Sequence, residues 1–378
     1  MADKHDLDRR TFVLGGVTAG ALALAGISLS GCLKQDPKAE QGLDENKPDG
    51  SKVPDKPEQP DTSGNGETEQ PQDPGNGETE QPQDPGYGGH EQAIPKVYFT
   101  AAITPQSLVA IYRALDVSLP GKVAVKLSTG EPGGNNYLKP SLIKDLVQLV
   151  KGTIVECNTA YGGQRANAKS HYQVAVDHGF TAIAEVDIQD GNGDMALPVK
   201  DGTHLKENFV GASFHDYQSY ISLAHFKGHA AGGFGGAIKN TSIGIASSKG
   251  KSLIHSAGAR TSGMGPGTSQ DSFLESMAES ALSIVDVLGK NIVFINVMNR
   301  LSVDCDCFSN PAEPEMADIG ILASTDPVAV DQACVDLVYA APDSKALRER
   351  IESRNGRHTL NYGEKIGLGS QQYELVRL

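Results

Sequence analysis

Cys305 and Cys307 stand one residue apart, flanked by Asp304 and separated by Asp306. As thiolates, two cysteines on one loop supply half of a zinc or iron site and need further donors from elsewhere in the chain. The alternative is a mutual disulfide, which suits an oxidising compartment although closing it over a single residue strains the ring. His225 and His229, four apart and beside glycines, are placed to complete the donor set, and His255 is a third histidine to consider. Cys305, Cys307, His225 and His229 are therefore the candidate ligands of a metal ion or an iron–sulfur cluster. Lys239 and Arg165 are cations able to hold an anionic substrate; with His255 they make up the catalytic candidates.

The run Gly232-Gly233-Phe234-Gly235-Gly236-Ala237-Ile238-Lys239-Asn240 is dense in glycine. It would let backbone amides approach an anion, with Gly233, Gly235, Gly236 and Asn240 as the binding candidates. It lacks the Walker spacing and the dinucleotide fingerprint, so a simple tight turn stays open as an alternative. The acidic pairs Asp187/Asp190 and Asp304/Asp306 have the right chemistry for proton transfer, but Asp190 and Asp194 beside glycines read as turn residues. Cys157 and Cys334 lie in apolar surroundings and read as small core residues. No Gly-x-Ser-x-Gly elbow and no His-Glu-x-x-His pair is present.

These residues must be positioned by elements, and from residue 96 onward short β-branched runs alternate with helical stretches. Strands are expected at 122–127, 153–157, 181–186, 220–225, 291–298 and 317–323, and helices at 105–116, 140–151, 165–178, 271–288 and 327–339. The last helix has a clear start, with Asp326 as cap and Pro327 in its first turn. This alternation implies an α/β fold, a mostly parallel sheet with helices on both faces, whose strands deliver their following loops to one carboxyl edge. Cys305 and Cys307 should then lie near His225, His229 or the 232–240 loop, with donor atoms within roughly 4 Å of one another, a little more in an empty site, if they share an ion.

The remaining sequence sets the context. Arg9-Arg10 precedes a weakly apolar run over 13–29, which ends in Leu29-Ser30-Gly31-Cys32. That pattern reads as a twin-arginine lipoprotein signal over 1–32, cleaved before a lipidated Cys32. Residues 33–95 hold fifteen acidic and five basic residues, −10 of the chain's −14, and an 11-residue repeat occupies 64–74 and 75–85. Almost without large apolar side chains, this stretch reads as a disordered acidic linker. The domain over 96–378 is left near neutral, which gives no reason to expect nucleic acid as a partner. The expected partners are the export machinery, the membrane through the lipid on the outer face, and a small anionic ligand.

Across 96–340 the chain resembles the family catalogued as domain of unknown function 362. The resemblance is carried by Ala224-His225-Phe226-Lys227-Gly228-His229, by Gly233-Phe234-Gly235-Gly236-Ala237-Ile238-Lys239-Asn240, by Tyr161-Gly162-Gly163-Gln164-Arg165, and by the run from Asp318 to Asp331. Many members carry an inserted ferredoxin-like segment with closely spaced cysteines. This chain passes from His255 through Thr261-Ser262-Gly263-Met264-Gly265 without one, so electron transfer through such an insert is not implied. The expectation is an exported, anchored protein with a metal or iron–sulfur site, working as a redox or other metal-dependent enzyme. The alternatives are a carrier for a metal or small anion, and an interaction module with disulfide-bonded cysteines.

Overall fold

Strand Ile292–Met298 shows how the sequence builds the sheet. Ile292, Phe294 and Met298 enter one core while Val293, Ile295 and Val297 enter another, because successive strand side chains face opposite sides. A strand apolar on both sides needs cover on both sides. The computed structural model describes residues 93–264 and 267–378. The expected signal segment with Cys32, and the linker up to residue 92, lie outside the described residues.

In chain order the strands are β1 (Lys96–Thr100), β2 (Val123–Lys126), β3 (Thr153–Glu156), β4 (Val186–Ile188), β5 (Asp194–Pro198), β6 (Glu207–Gly211), β7 (Ser219–His225), β8 (Lys227–His229), β9 (Gly233–Gly235), β10 (Ile292–Met298), β11 (Gly320–Ser324) and β12 (Glu374–Arg377). The helices are α1 (Pro105–Ala114), α2 (Pro140–Leu149), α3 (Ala168–Asp177), α4 (Ala237–Ile245), α5 (Ser248–His255), α6 (Gln270–Leu288), α7 (Pro327–Ala340), α8 (Lys345–Ser353) and α9 (His358–Lys365). Eight strands form one sheet in the order β12-β1-β11-β10-β7-β2-β3-β4, and β5-β6 and β8-β9 are separate hairpins. Every pairing in the large sheet is parallel except those of β11, which runs against both β1 and β10. The α/β architecture with a mostly parallel sheet is therefore observed.

Helices α1, α2 and α3 cover one face through Leu108, Ile111, Ile143, Leu146 and Ala175. Helices α4, α6 and α7 cover the other through Ile238, Ile245, Ala278, Ala281, Val328 and Ala333. Helix α7 starts as its sequence suggests: Asp326 accepts from the amides of Val328 and Ala329, and Pro327 occupies the first turn. No helix among the described residues is long and apolar enough to cross a membrane.

One expected strand is corrected. Residues 180–182 form a 3-10 turn after left-handed Gly179, and extended structure begins only at Val186. The apolar residues of that stretch serve as cover, with Phe180 buried and Ile183 and Ala184 packed beside it in the core under α2 and α3.

Candidate metal and anion site

The carboxyl ends of β2, β3, β7 and β10 deliver their loops to one place, where they meet β8, α4 and α5 around a cavity of about 140 Å³. The segment from His225 to His229 shows how the site is assembled. His225 Nδ1 meets Asp306 Oδ1 at 3.1 Å and its Nε2 donates to the carbonyl of Asn299 at 2.6 Å. Phe226 turns into the core and stacks on Phe234. Lys227, 1% exposed, donates to the Asp306 carboxylate and, at 2.7 Å, to the Asn136 carbonyl. The Gly228 amide donates to the Ser302 carbonyl at 2.9 Å. A Cβ on Gly228 would sit 2.3 Å from the Val303 carbonyl oxygen, so glycine is what lets the cysteine loop lie against β8. His229 then faces that loop.

The result is a cluster in which His229, Cys305 and Cys307 each offer a ligand atom, all within 4.8 Å of one another. The geometric expectation for the cysteines holds for His229. His225 also reaches that loop, but its contacts to Asp306 and to the Asn299 carbonyl occupy both ring nitrogens, so it anchors Asp306 and does not join the donor set. Burial alone would raise the Asp306 carboxyl, but Lys227 and His225 bring it down to about 2, so it is ionised and fixes the loop between the cysteines.

The donor chemistry of the cluster fits a metal ion. Two thiolates and one imidazole are a soft three-ligand set that suits zinc or iron(II) and leaves a fourth position for water or substrate. Two features must change before the set ligates. Cys305 and Cys307 are joined as a disulfide and have to be reduced. His229 Nδ1 accepts from the Gly232 amide at 2.8 Å, so a neutral ring carries its proton on Nε2, which must leave for that nitrogen to bind an ion. A four-iron cluster needs four thiolates, more than this group supplies. Cys157 also lines the cavity, yet its thiol donates to the Ile245 carbonyl and burial pushes it up to about 12. Cys334 lies in the core, as expected.

Charge in the cavity is dominated by cations, and most of them are already committed. Glu156 accepts from Lys126 Nζ at 2.9 Å, from the Thr129 amide and from Arg165 Nη2 at 3.1 Å. Burial opposes its ionisation, but Lys126 and Arg165 hold it well below the carboxylate range. Arg165 also donates to Glu131 at 3.0 Å and to His171, so this catalytic candidate braces two carboxylates instead of facing a ligand. Lys251 donates to two carbonyls and, among the described residues, pairs with no carboxylate. The ammonium of Lys239, in the first turn of α4, has no hydrogen-bond or ion-pair partner among the described residues. Burial, with Lys126, Lys251 and Arg165 lowering it further against an opposing Asp306, brings its ammonium down to about 8.

His255 complements His229. Its Nδ1 donates to the Lys251 carbonyl at 2.7 Å, which leaves the Nε2 lone pair free in the neutral ring, and burial lowers the imidazole to about 4. The cavity thus holds two neutral histidines of opposite tautomer, one a proton donor and one an acceptor.

The glycine-rich segment does not act as a phosphate cradle. Asp331 of α7 accepts from the Ala237 and Ile238 amides at 2.7 and 2.9 Å and so fills the N-terminus of α4. The glycines make room instead: a Cβ on Gly236 would lie 2.3 Å from Asp331 Oδ1, and one on Gly235 would lie 3.2 Å from Lys239 Cδ. Gly233 takes a left-handed turn between β8 and α4. Asn240 donates to the Lys126 carbonyl and to Ser222, which ties α4 to the sheet. Among the acidic pairs, Asp187 accepts from Ser213 and Tyr217, Asp190 accepts from the amides of Asn158 and Ser248, and Asp304 meets Arg350. All are structural.

Lys126, Glu156 and Lys251 were not singled out from the sequence. The signal for the first two was present: a charged residue closes each of the otherwise apolar strands β2 and β3, and a sheet covered on both faces admits such a charge only when it is paired.

The profile described as Domain of unknown function (DUF362) matches residues 123–336, more than half of the chain, from β2 to α7. The chain belongs to this family. The matched region contains every residue of the cavity described above. Among solved structures, this DUF362 chain is similar at 12% identity and a TM-score of 0.39 to a lactate racemase apoprotein from Thermoanaerobacterium thermosaccharolyticum, covering 64% of this chain and 56% of that one. It is similar at 11% identity and a TM-score of 0.36 to a protein from Thermotoga maritima, covering 66% of this chain and 58% of that one. The chain thus spans less than two thirds of either protein. No curated protein matches it.

Proposed function

We propose that this DUF362 protein is an exported, lipid-anchored enzyme whose cavity binds one metal ion and a small anionic substrate. The observation that carries the reading is the meeting of His229 with Cys305 and Cys307, from segments more than seventy residues apart, beside the uncommitted Lys239. In the reduced protein the two thiolates and His229 would hold the ion, which supplies Lewis-acid polarisation of a substrate oxygen. The Lys239 ammonium and the remaining N–H of Lys251 hold the substrate's negative charge. His255 takes a proton at Nε2, and His229, when not ligating, gives one. A cavity of about 140 Å³ falls below the roughly 300–1,000 Å³ of pockets for drug-sized ligands, which favours a small acid over a nucleotide.

The test is a cobalt(II) titration of reduced and oxidised protein followed by absorption. Reduced protein is expected to show sulfur-to-cobalt charge-transfer bands saturating at one ion per chain. Cys305→Ser and Cys307→Ser should each weaken binding strongly, and oxidised protein should show no bands. Binding that is indifferent to the cysteines would remove the proposal. A second reading, a carrier that releases its ion on oxidation, is favoured by the fact that the two thiols form a disulfide. It would stand if metal exchange followed redox state and no anion were turned over.

A further inference from the structure

Each of the cations Lys126, Arg165, Lys227 and Lys251 in the cavity donates to a carboxylate or a carbonyl. Among the described residues Lys239 does not, and its stem runs close past Gly235, where a Cβ would lie 3.2 Å from Lys239 Cδ. It projects from the N-terminal turn of α4, where the helix dipole disfavours a positive charge. Burial, and then the nearby Lys126, Lys251 and Arg165 against an opposing Asp306, bring the ammonium down to about 8. A lysine that is uncommitted, half-buried in a cavity and flanked by other cations has the environment of a nucleophilic amine.

We propose that Lys239 forms an imine with a small 2-oxo acid, whose carboxylate is selected by the surrounding cations. This goes beyond the metal reading and rests only on the part of it that gives the cavity a small anion. Once the ammonium has given its proton to water, the lone pair of the neutral amine adds to the carbonyl carbon as the C–O π bond breaks, and the oxygen takes a proton that nitrogen sheds. The resulting carbinolamine loses its hydroxyl with a second proton as water, giving the C=N bond. No oxidant or reductant is consumed. Lys251, which donates to two carbonyls and keeps one N–H free, is placed to hold the carboxylate.

The experiment is reductive trapping on the whole protein. Wild-type protein is treated with pyruvate and sodium cyanoborohydride, digested, and mapped by mass spectrometry, in parallel with Lys239→Arg and with wild type preloaded with oxalate, a dianion lacking a ketone. The expected result is a reduced pyruvate adduct predominantly at Lys239, lost in Lys239→Arg and suppressed by oxalate. Labelling of Lys239 no greater than that of an exposed lysine such as Lys290 overturns the proposal. Calorimetry with oxalate separates the two failures. Oxalate that binds without pyruvate trapping removes the imine and leaves the anion pocket standing, whereas oxalate that does not bind removes both.

Discussion

Asp306 shows how one carboxylate sets the chemistry of its neighbours. Paired with Lys227 and held at 3.1 Å from His225, it pins the residue between the two cysteines. Replacing it with asparagine leaves the buried Lys227 ammonium without its counter-charge, a loss of about 3–5 kcal/mol for a broken buried pair. Urea unfolding of Asp306→Asn at neutral pH checks this. The pH dependence follows from the sign of the shift. A carboxyl held down to about 2 contributes stability that is fully present above its ordinary value and is lost as pH falls from about 4 toward 2. That acid-side drop should therefore be shallower in Asp306→Asn. Lys239 gives a second dependence. It shares the cavity with Lys126 from β2, Arg165 from the loop after β3, Lys251 from α5, His229 from β8 and Asp306 from the cysteine loop. Oxalate affinity should fall as pH rises through about 8, and Lys239→Gln should flatten that part of the profile.

At the scale of elements, close approach is the controlling device. The β8 strand can lie against the cysteine loop because Gly228 has no side chain to strike Val303. Gly228→Ala should displace the loop and reduce cobalt affinity about 10–100-fold, the range seen when residues supporting metal ligands are changed. Unaltered affinity in a folded variant would show that this approach does not position the sulfurs. The sheet, α7 with its Asp326 cap, and the arrival of the cysteine loop near His229 were all legible, because strand alternation, capping chemistry and the carboxyl-edge rule are local or topological. Helix α4 was not legible. Its cap is Asp331, contributed from 94 residues away, and without that partner the run through Gly236 and Lys239 reads as a turn or an anion loop. His225 was misassigned for a similar reason, since nothing near it in sequence announces Asn299 and Asp306 as its partners.

For the molecule as a whole, the proposal separates a folded domain that binds from an N-terminal region that places it. Cys32→Ala should abolish membrane attachment while leaving cobalt binding by the reduced domain unchanged. Deleting residues 40–90 should move the melting temperature by no more than about a few degrees, since composition gives that stretch no core to lose. In the reduced protein, two thiolates and one imidazole are proposed to converge on a single ion. The measurement that tests this convergence most directly is X-ray absorption of the reduced, zinc-loaded protein. The expected first shell contains two sulfurs at about 2.3 Å and one imidazole nitrogen at about 2.0–2.1 Å, with the remaining position taken by a light atom. A shell of oxygen and nitrogen alone, or reduced protein that retains no stoichiometric zinc, would contradict it.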